Sequence, residues 1–217
     1  DRSQFGKLAG NPRLGAAEYR LTSRHEDRGV YTFCMCPGGV VVASASSPTG
    51  VVTNGMSYSA RNGQNSNSAV AVQVNPGDFG GDAMRALAFR REMEHRAFLA
   101  GGGDQTAPAQ KVGDFLRGQP SAGFDGVRPT YRPGVLPCDL SKVLPEFITA
   151  GLKAALPAMG RQIAGFDMED AVLTAVESRT SSCVRILRGA SGECPAVAGL
   201  FPAGEGAGYA GGIVSSA

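Results

Sequence analysis

Glycine constrains this chain more than any other residue type, since it makes up 31 of the 217 residues. Its usual share is only about half as large, roughly 7 %. Glycine has no Cβ, so it permits tight turns and close approaches between backbone segments. Its densest run lies within residues 204–212 and follows the apolar residues 197–202. We therefore predict a last strand that runs into a glycine-rich turn (residues 204–212).

The composition favours a folded domain and argues against two classes of partner. Hydrophobic residues make up 42 % of the chain, which is enough for a core. The 21 basic and 19 acidic residues nearly cancel, so we expect no strong field that attracts nucleic acid. The apolar runs fall far short of the ~20 residues that a membrane-spanning helix needs. We expect neither nucleic acid nor a membrane as a partner.

The cysteines are sparse and odd in number, at positions 34, 36, 138, 183 and 194. A disulfide scaffold is usually denser and has an even number of cysteines. A zinc site would normally show paired Cys-x-x-Cys elements, which this sequence lacks. We therefore predict reduced thiols in a cytoplasmic protein, with no metal site.

The first third of the chain predicts an antiparallel sheet. Four runs rich in β-branched and apolar residues are separated by turn signals. The runs are residues 31–36, 40–46, 51–57 and 68–74. Pro37-Gly38-Gly39 is expected to end the first strand, and Asn62-Gly63 predicts a turn. Residues 1–30 are polar, with a turn predicted at Arg28-Gly29 and no sustained periodicity.

Two helical regions follow. Asp82 is a suitable N-cap for the first, and three glycines at 101–103 are expected to end it. Asp139 begins the second, which Pro145 and Pro157 should break into segments.

The rest of the chain predicts loops and further strands. Residues 104–137 hold five prolines and five glycines and are predicted to be irregular. Strands are predicted at 171–177 and 182–187, before the last strand. The fold class is therefore α+β, a mostly antiparallel sheet with packed helices.

The glycine-rich turn could bind an anion through backbone N–H groups. Gly206, Gly208 and Gly211 fit the pattern G-x-G-x-x-G, which in dinucleotide-binding folds opens a strand–turn–helix–strand unit. Only six residues follow Gly211, so that unit does not fit within this chain. The alternative is a terminal turn without a ligand.

The stretch from Gly199 to Ile213 resembles the closing FAD motif of two-dinucleotide-fold flavoproteins. It is most similar to the bacterial FAD-dependent (NAD-utilising) dehydrogenases. Several other blocks are similar to that family in the same order, namely residues 13–20, 33–39, 54–58, 65–69 and 177–182.

The resemblance implies a division of the chain and a cofactor. Residues 1–195 would form an inserted substrate domain. Residues 196–217 would form the returning C-terminal strand and turn of an incomplete FAD-binding domain. The chain would then be a piece of a longer FAD-dependent oxidoreductase that acts on a small molecule, with NAD(P)H as a candidate electron donor. On its own the chain is expected to be inactive and to hold little FAD.

By the same resemblance, the cofactor-binding residues lie mainly in the glycine-rich turn. The Glu205 carboxylate would accept hydrogen bonds from ribityl or pyrophosphate-side hydroxyls, and the backbone from Ala210 onwards would face the flavin. The full set is Gly204, Glu205, Gly206, Ala210, Gly211, Gly212 and Ile213, with Asn65 and Asn67 added as candidate donors to a flavin or substrate carbonyl. For the two asparagines, turn chemistry is the alternative.

Four residues are candidates for the chemistry itself. Cys34 and Cys36 are two apart, so on a regular strand both thiols point to one face, opposite Met35. Such a pair could relay electrons beside a flavin, or it could be two buried structural residues. Glu177 and Arg179 lie in a polar block, where the arginine could hold a carboxylate or phosphate or form a surface ion pair. The competing interpretation of the whole chain is a non-catalytic module that binds a ligand or partner.

Overall fold

The computed structural model describes residues 6–8, 10–14 and 20–209. The chain divides into two compact units. The larger unit comprises Asp1–Val74 and Glu92–Glu177, and the smaller unit comprises Asn75–Arg91 and Ser178–Ala217. The division at 195/196 that the resemblance implies stays a prediction.

The larger unit contains the predicted antiparallel sheet, built around one long strand. Its strands are β1 (Thr22–His25), β2 (Arg28–Ala43), β3 (Thr53–Ser57) and β4 (Asn65–Val72). β2 pairs with all three other strands. The first two predicted strands are therefore one, and the prediction that Pro37-Gly38-Gly39 ends the first was wrong.

The glycines at this point allow the strand to continue beside a crossing loop. A Cβ on Gly38 would clash with the Arg61 carbonyl, and the Gly63 N–H donates to the Gly38 carbonyl at 3.0 Å. The predicted turn at Arg28-Gly29 was also wrong by two residues. It lies at Glu26 and Asp27, where Glu26 has φ 52°.

A second sheet also belongs to the larger unit. β5 (Ala107–Lys111) pairs in parallel with β6 (Val135–Pro137) and antiparallel with β7 (Val172–Thr174). The strand predicted at 171–177 is thus present in a shorter form. Residues 104–137 are not wholly irregular, because β5 is buried along most of its length and so pairs despite Pro108.

Three α-helices complete the described elements, together with short 3-10 helices at Gly6–Leu8, Pro76–Phe79 and Leu140–Lys142. The α-helices are α1 (Ala83–Ala100), α2 (Val112–Arg117) and α3 (Glu146–Gln162). Asp82 caps α1 as predicted, since its carboxylate accepts from Met84 N at 2.8 Å. Pro145 separates the 3-10 helix from α3, but Pro157 lies inside α3, so its predicted break was wrong. Buried residues on both sides of Pro157 hold that turn in place.

The hydrophobic core lies in the larger unit. It joins the helices and both sheets through Phe115, Leu140, Leu156 and Met159, each at most 2 % exposed. At Gly151, α3 lies directly on β2 and β4, where a Cβ would be 3.2 Å from Val72. The α+β fold class is therefore confirmed.

The described part of the smaller unit contains no strand, so the strands predicted at 182–187 and 197–202 were wrong. Gly199 has φ 76°, and Cys194 N donates to the Leu200 carbonyl at 2.7 Å. This turn closes part of the second segment of the smaller unit, which begins at Ser178, into a loop. Apolar side chains such as Leu187 and Phe201 stay exposed there.

Candidate functional site

Two irregularities in β2 shape the candidate site in the larger unit. Phe33 pairs with Ala69, Cys36 with Asn67, and Gly39 with Asn65, so the register shifts twice. Each shift is a β-bulge, which bends a strand and re-aims its side chains. The pairings with β1 and β3 both omit residues 32–38. Both cysteines of the candidate pair lie in this stretch.

The two thiols occupy different environments. Cys34 is exposed and has φ 48°, a left-handed backbone that a non-glycine residue rarely adopts. Cys36 is partly buried, and its thiol donates to the Cys34 carbonyl at 3.1 Å. The bulge interrupts the alternation of side chains, so the regular strand assumed for a shared thiol face was wrong. All five cysteines lie in the described residues, and none forms a disulfide.

The surroundings of Cys36 keep its thiol protonated at neutral pH. Burial raises its pKa above 9.0, and the nearby charge of Glu177 raises it further. A hydrogen bond with Ser57 and the charge of Arg61 oppose these effects. The Ser57 hydroxyl also donates to the Pro37 carbonyl at 2.9 Å. The thiolate, and not the thiol, is the nucleophilic form of cysteine. Cys36 is therefore a hydrogen-bond donor here rather than a nucleophile.

Glu177 carries the most perturbed carboxyl group of the site. The preceding residues fix its position, since Ala175 N donates to the Pro108 carbonyl at 3.0 Å and the Val176 carbonyl accepts from Thr53 N at 2.9 Å. Burial raises the pKa of Glu177 from 4.5 to about 7. A carboxyl group with that pKa exists in both protonation states at neutral pH, as general acid–base chemistry requires.

The two candidate asparagines of β4 differ in their hydrogen bonds. Asn65 donates its amide N–H to the Arg128 carbonyl at 2.8 Å, which is a structural use of the group. Both amide atoms of Asn67 are buried without a hydrogen-bond partner. A Cβ on Gly39 would lie 2.9 Å from the Asn67 amide nitrogen, and one on Gly55 would clash with its oxygen. The two glycines therefore make the space that this amide occupies.

The described part of the glycine-rich turn belongs to the smaller unit. Gly204 and Gly208 have φ 80° and 83°, and Gly208 N donates to the Glu205 carbonyl at 2.9 Å. Glu205 and Gly206 are exposed. The remaining predicted cofactor residues, Ala210, Gly211, Gly212 and Ile213, lie outside the described residues.

The turn is fixed against the segment that precedes it. A Cβ on Gly208 would clash with the Val184 carbonyl, and Ile186 N donates to the Ala207 carbonyl at 3.1 Å.

Arg179 lies in the smaller unit and is partly buried, whereas Glu177 ends the larger unit. Arg179 and Glu177 thus belong to different units, and the charge of Glu177 acts on the thiol of Cys36.

Sequence reasoning missed two polar partners of Cys36, namely Ser57 and Arg61. Ser57 lies in the block 54–58 that resembles the flavoprotein family, so a signal for it existed. Arg61 carries no such signal. Its backbone has φ 47° in the loop that crosses Gly38, and only the fold shows that approach.

Two further classes of site are absent from the described ranges. No group of three or more His, Cys, Asp or Glu side chains is arranged to hold a metal ion there. No helix in that part of the chain is long and apolar enough to span a membrane.

One described segment leaves room for a cofactor such as FAD. Two of the three residues at 204–206 are glycines, and Glu205 and Gly206 are exposed. The backbone there permits close approach of a cofactor. Both Asn67 amide atoms are buried, so neither is open to a flavin.

Comparison with known proteins agrees with the FAD assignment. The family model described as FAD-dependent protein, C-terminal domain-like, matches residues 1–180. A curated relative from Clostridium beijerinckii (strain ATCC 51743 / NCIMB 8052), described as an uncharacterized protein, is 48 % identical over 218 residues. The match covers 99 % of this chain and 41 % of the relative. The chain thus spans about two fifths of the length of that curated protein.

Proposed function

Because the chain belongs to the FAD-dependent protein, C-terminal domain-like family, we propose that it is the substrate-side part of an FAD-dependent oxidoreductase. In this proposal Glu177 exchanges a proton with the substrate. One observation carries the proposal. A partly buried carboxyl group has its pKa raised to about 7, and its charge acts on the thiol of Cys36.

The proposed cofactor residues are those of the glycine-rich turn and β4. When bound, FAD supplies a centre that accepts or donates an electron pair. Glu205 and the backbone of Gly204 and Gly206 would hold its polar chain, whereas Asn65 and Asn67 stay candidates on the resemblance alone. Ala210, Gly211, Gly212 and Ile213 remain candidates on the resemblance alone. NAD(P)H as the electron donor, and the cytoplasmic location, stay predictions.

Glu177 is suited to move a proton in either direction. Oxidation of an alcohol or amine by hydride removal also releases a proton, which a nearby carboxylate can accept at its Oε atoms. Burial supplies the driving force, because it favours the neutral form of the carboxyl group. The Cys36 thiol donates a hydrogen bond to the Cys34 carbonyl. It therefore keeps its own proton and does not compete with Glu177 for the proton of the substrate.

The test uses the longer protein that contains this chain. We expect it to purify with flavin absorbance. The flavin midpoint potential of the wild type should then change its slope near pH 7, as Glu177 titrates. One proton per two electrons corresponds to about 30 mV per pH unit.

Two variants make this test specific. Glu177→Gln should retain flavin but lose the change of slope near pH 7. Glu92→Gln, at an exposed carboxylate of α1 paired with Arg96, should keep it. A colourless protein would favour the non-catalytic binding module. A coloured Glu177→Gln variant with an unaltered slope would refute the proton-transfer role.

A further inference from the structure

Two arginines in the smaller unit converge on one aromatic ring. The Arg188 guanidinium carbon lies 3.9 Å from the centroid of the Tyr209 ring, and that of Arg185 lies 5.2 Å from it. The two positive charges are therefore closer together than the ~10 Å Debye length at 0.1 M salt. Two like charges within one Debye length still repel each other.

Hydrogen bonds to the backbone hold this arrangement in place. Arg185 Nε donates to the Gly208 carbonyl at 3.1 Å, and Arg188 Nη1 donates to the Pro202 carbonyl at 2.9 Å. The Tyr209 hydroxyl donates to the Ile186 carbonyl at 2.9 Å, which fixes the ring. Each guanidinium uses one N–H group in this way, so several of its five donors remain.

The local acidic residues do not neutralise the pair. Neither arginine forms an ion pair with any residue in the described ranges. Glu193 is bonded to Gly199 N, and Glu205 is an exposed residue of the glycine-rich turn. Arg185 and Arg188 are both exposed residues. The structure thus holds two oriented forks of donors with an uncompensated double charge.

From this geometry we propose that Arg185, Arg188 and Tyr209 form a binding site for a phosphate-bearing ligand. Phosphate oxygens match the planar fork of arginine in bidentate hydrogen bonds, and a diphosphate can engage two forks at once. The ring and the two carbonyl bonds keep both guanidinium groups in place before the anion arrives, which lowers the ordering cost of binding. The site uses none of the residues assigned to proton transfer, so it stands or fails independently of that role.

The test is a calorimetric titration of this chain with inorganic pyrophosphate. We expect saturable binding that weakens as salt is raised. Arg185→Gln/Arg188→Gln should weaken it at least tenfold, and Arg185→Lys/Arg188→Lys should weaken it less, because charge is kept while the fork is lost. Arg24→Gln is the matched control, since Arg24 is another exposed arginine bonded to a carbonyl, that of Glu26. It should leave binding unchanged.

Each remaining outcome decides the proposal. Absence of binding to the wild type, equal binding by the Gln double variant, or equal losses in the double variant and Arg24→Gln would overturn it. Unchanged amide hydrogen exchange at Ile186, whose N–H donates to the Ala207 carbonyl, excludes local unfolding as the cause of its loss. In the longer flavin-containing protein, blocked pyrophosphate binding would assign the site to a phosphate of the cofactor. Retained binding there would assign it to a separate phosphorylated ligand.

Discussion

The two units of this chain are stabilised by different interactions. The larger unit has two sheets, the hydrophobic core cluster and a buried polar network around Asp114. The smaller unit includes the first half of α1, and its second described segment has turns, side-chain bonds to carbonyls and cations against a ring. Two of its large apolar side chains, Leu187 and Phe201, are 70 % and 62 % exposed, respectively. Apolar burial thus fixes the first unit, and backbone geometry fixes the second.

The largest effect should come from a cavity in the larger unit. Leu156 is 2 % exposed and packs in the core, so Leu156→Ala should lower the free energy of unfolding by about 3–5 kcal/mol. Leu187→Ala, at an exposed site of the smaller unit, should change it by no more than about 0.5 kcal/mol. Urea denaturation monitored by circular dichroism measures both. Similar losses in the two variants would break the comparison.

A pH-dependent effect of intermediate size should come from Glu177. Its pKa is raised to about 7 in the folded protein, so the folded state binds the proton more tightly than the unfolded state. Its contribution to stability is full below pH 4.5 and is lost as the pH rises through about 7. Allowing for its partial exposure, the loss should be about 2 kcal/mol.

Glu177→Gln should therefore match the wild type at pH 4.5 and exceed its stability by about 2 kcal/mol at pH 8.5. Denaturant titrations at the two pH values measure this difference. Glu205→Gln, at an exposed residue of the smaller unit, should follow the wild type at both. If the stability of Glu177→Gln keeps the pH dependence of the wild type, the carboxyl group is not the one that titrates.

The smallest effect should appear in the glycine-rich turn. Gly208 has φ 83° and no room for a Cβ, so Gly208→Ala should destabilise the turn by about 1–2 kcal/mol. Amide hydrogen exchange at Ile186, which donates to Ala207, should then be roughly 5- to 30-fold faster. Gly206→Ala is the control, because a Cβ there meets nothing within 4 Å. Equal exchange in both variants would show that turn geometry does not hold this unit together.

Local signals in the sequence were sufficient for most of the larger unit. The α+β class, the antiparallel strands and the Asp82 cap follow from alternation, β-branched residues and capping chemistry, each of which acts over a few residues. β1 escaped prediction because Thr22–His25 is polar and has no apolar alternation to reveal it. The break predicted at Pro157 is absent because packing around it, which is a tertiary effect, outweighs one missing N–H donor.

The smaller unit shows where such signals fail. Residues 182–187 and 197–202 have the composition of strands, but a strand also needs a neighbour to bond with, and composition does not supply one. The candidate site was predictable only in part, because it too depends on contacts between distant parts of the sequence. Cys36 and Glu177 stood out as residue types, but their approach across the fold, and the partners Ser57 and Arg61, depend on long-range contacts.

The paired bulges of β2 have a consequence for how this sequence can change. Between the pairs Phe33–Ala69 and Gly39–Asn65, six steps along β2 face four along β4, so the excess is even. An even excess restores the original parity, and Val41 therefore keeps its place against the core. Loss of one residue anywhere from 34 to 38 would invert that parity. Each side chain at the end of the strand would then point to the opposite face of the sheet. Length changes in this short stretch should therefore be tolerated in twos and not singly.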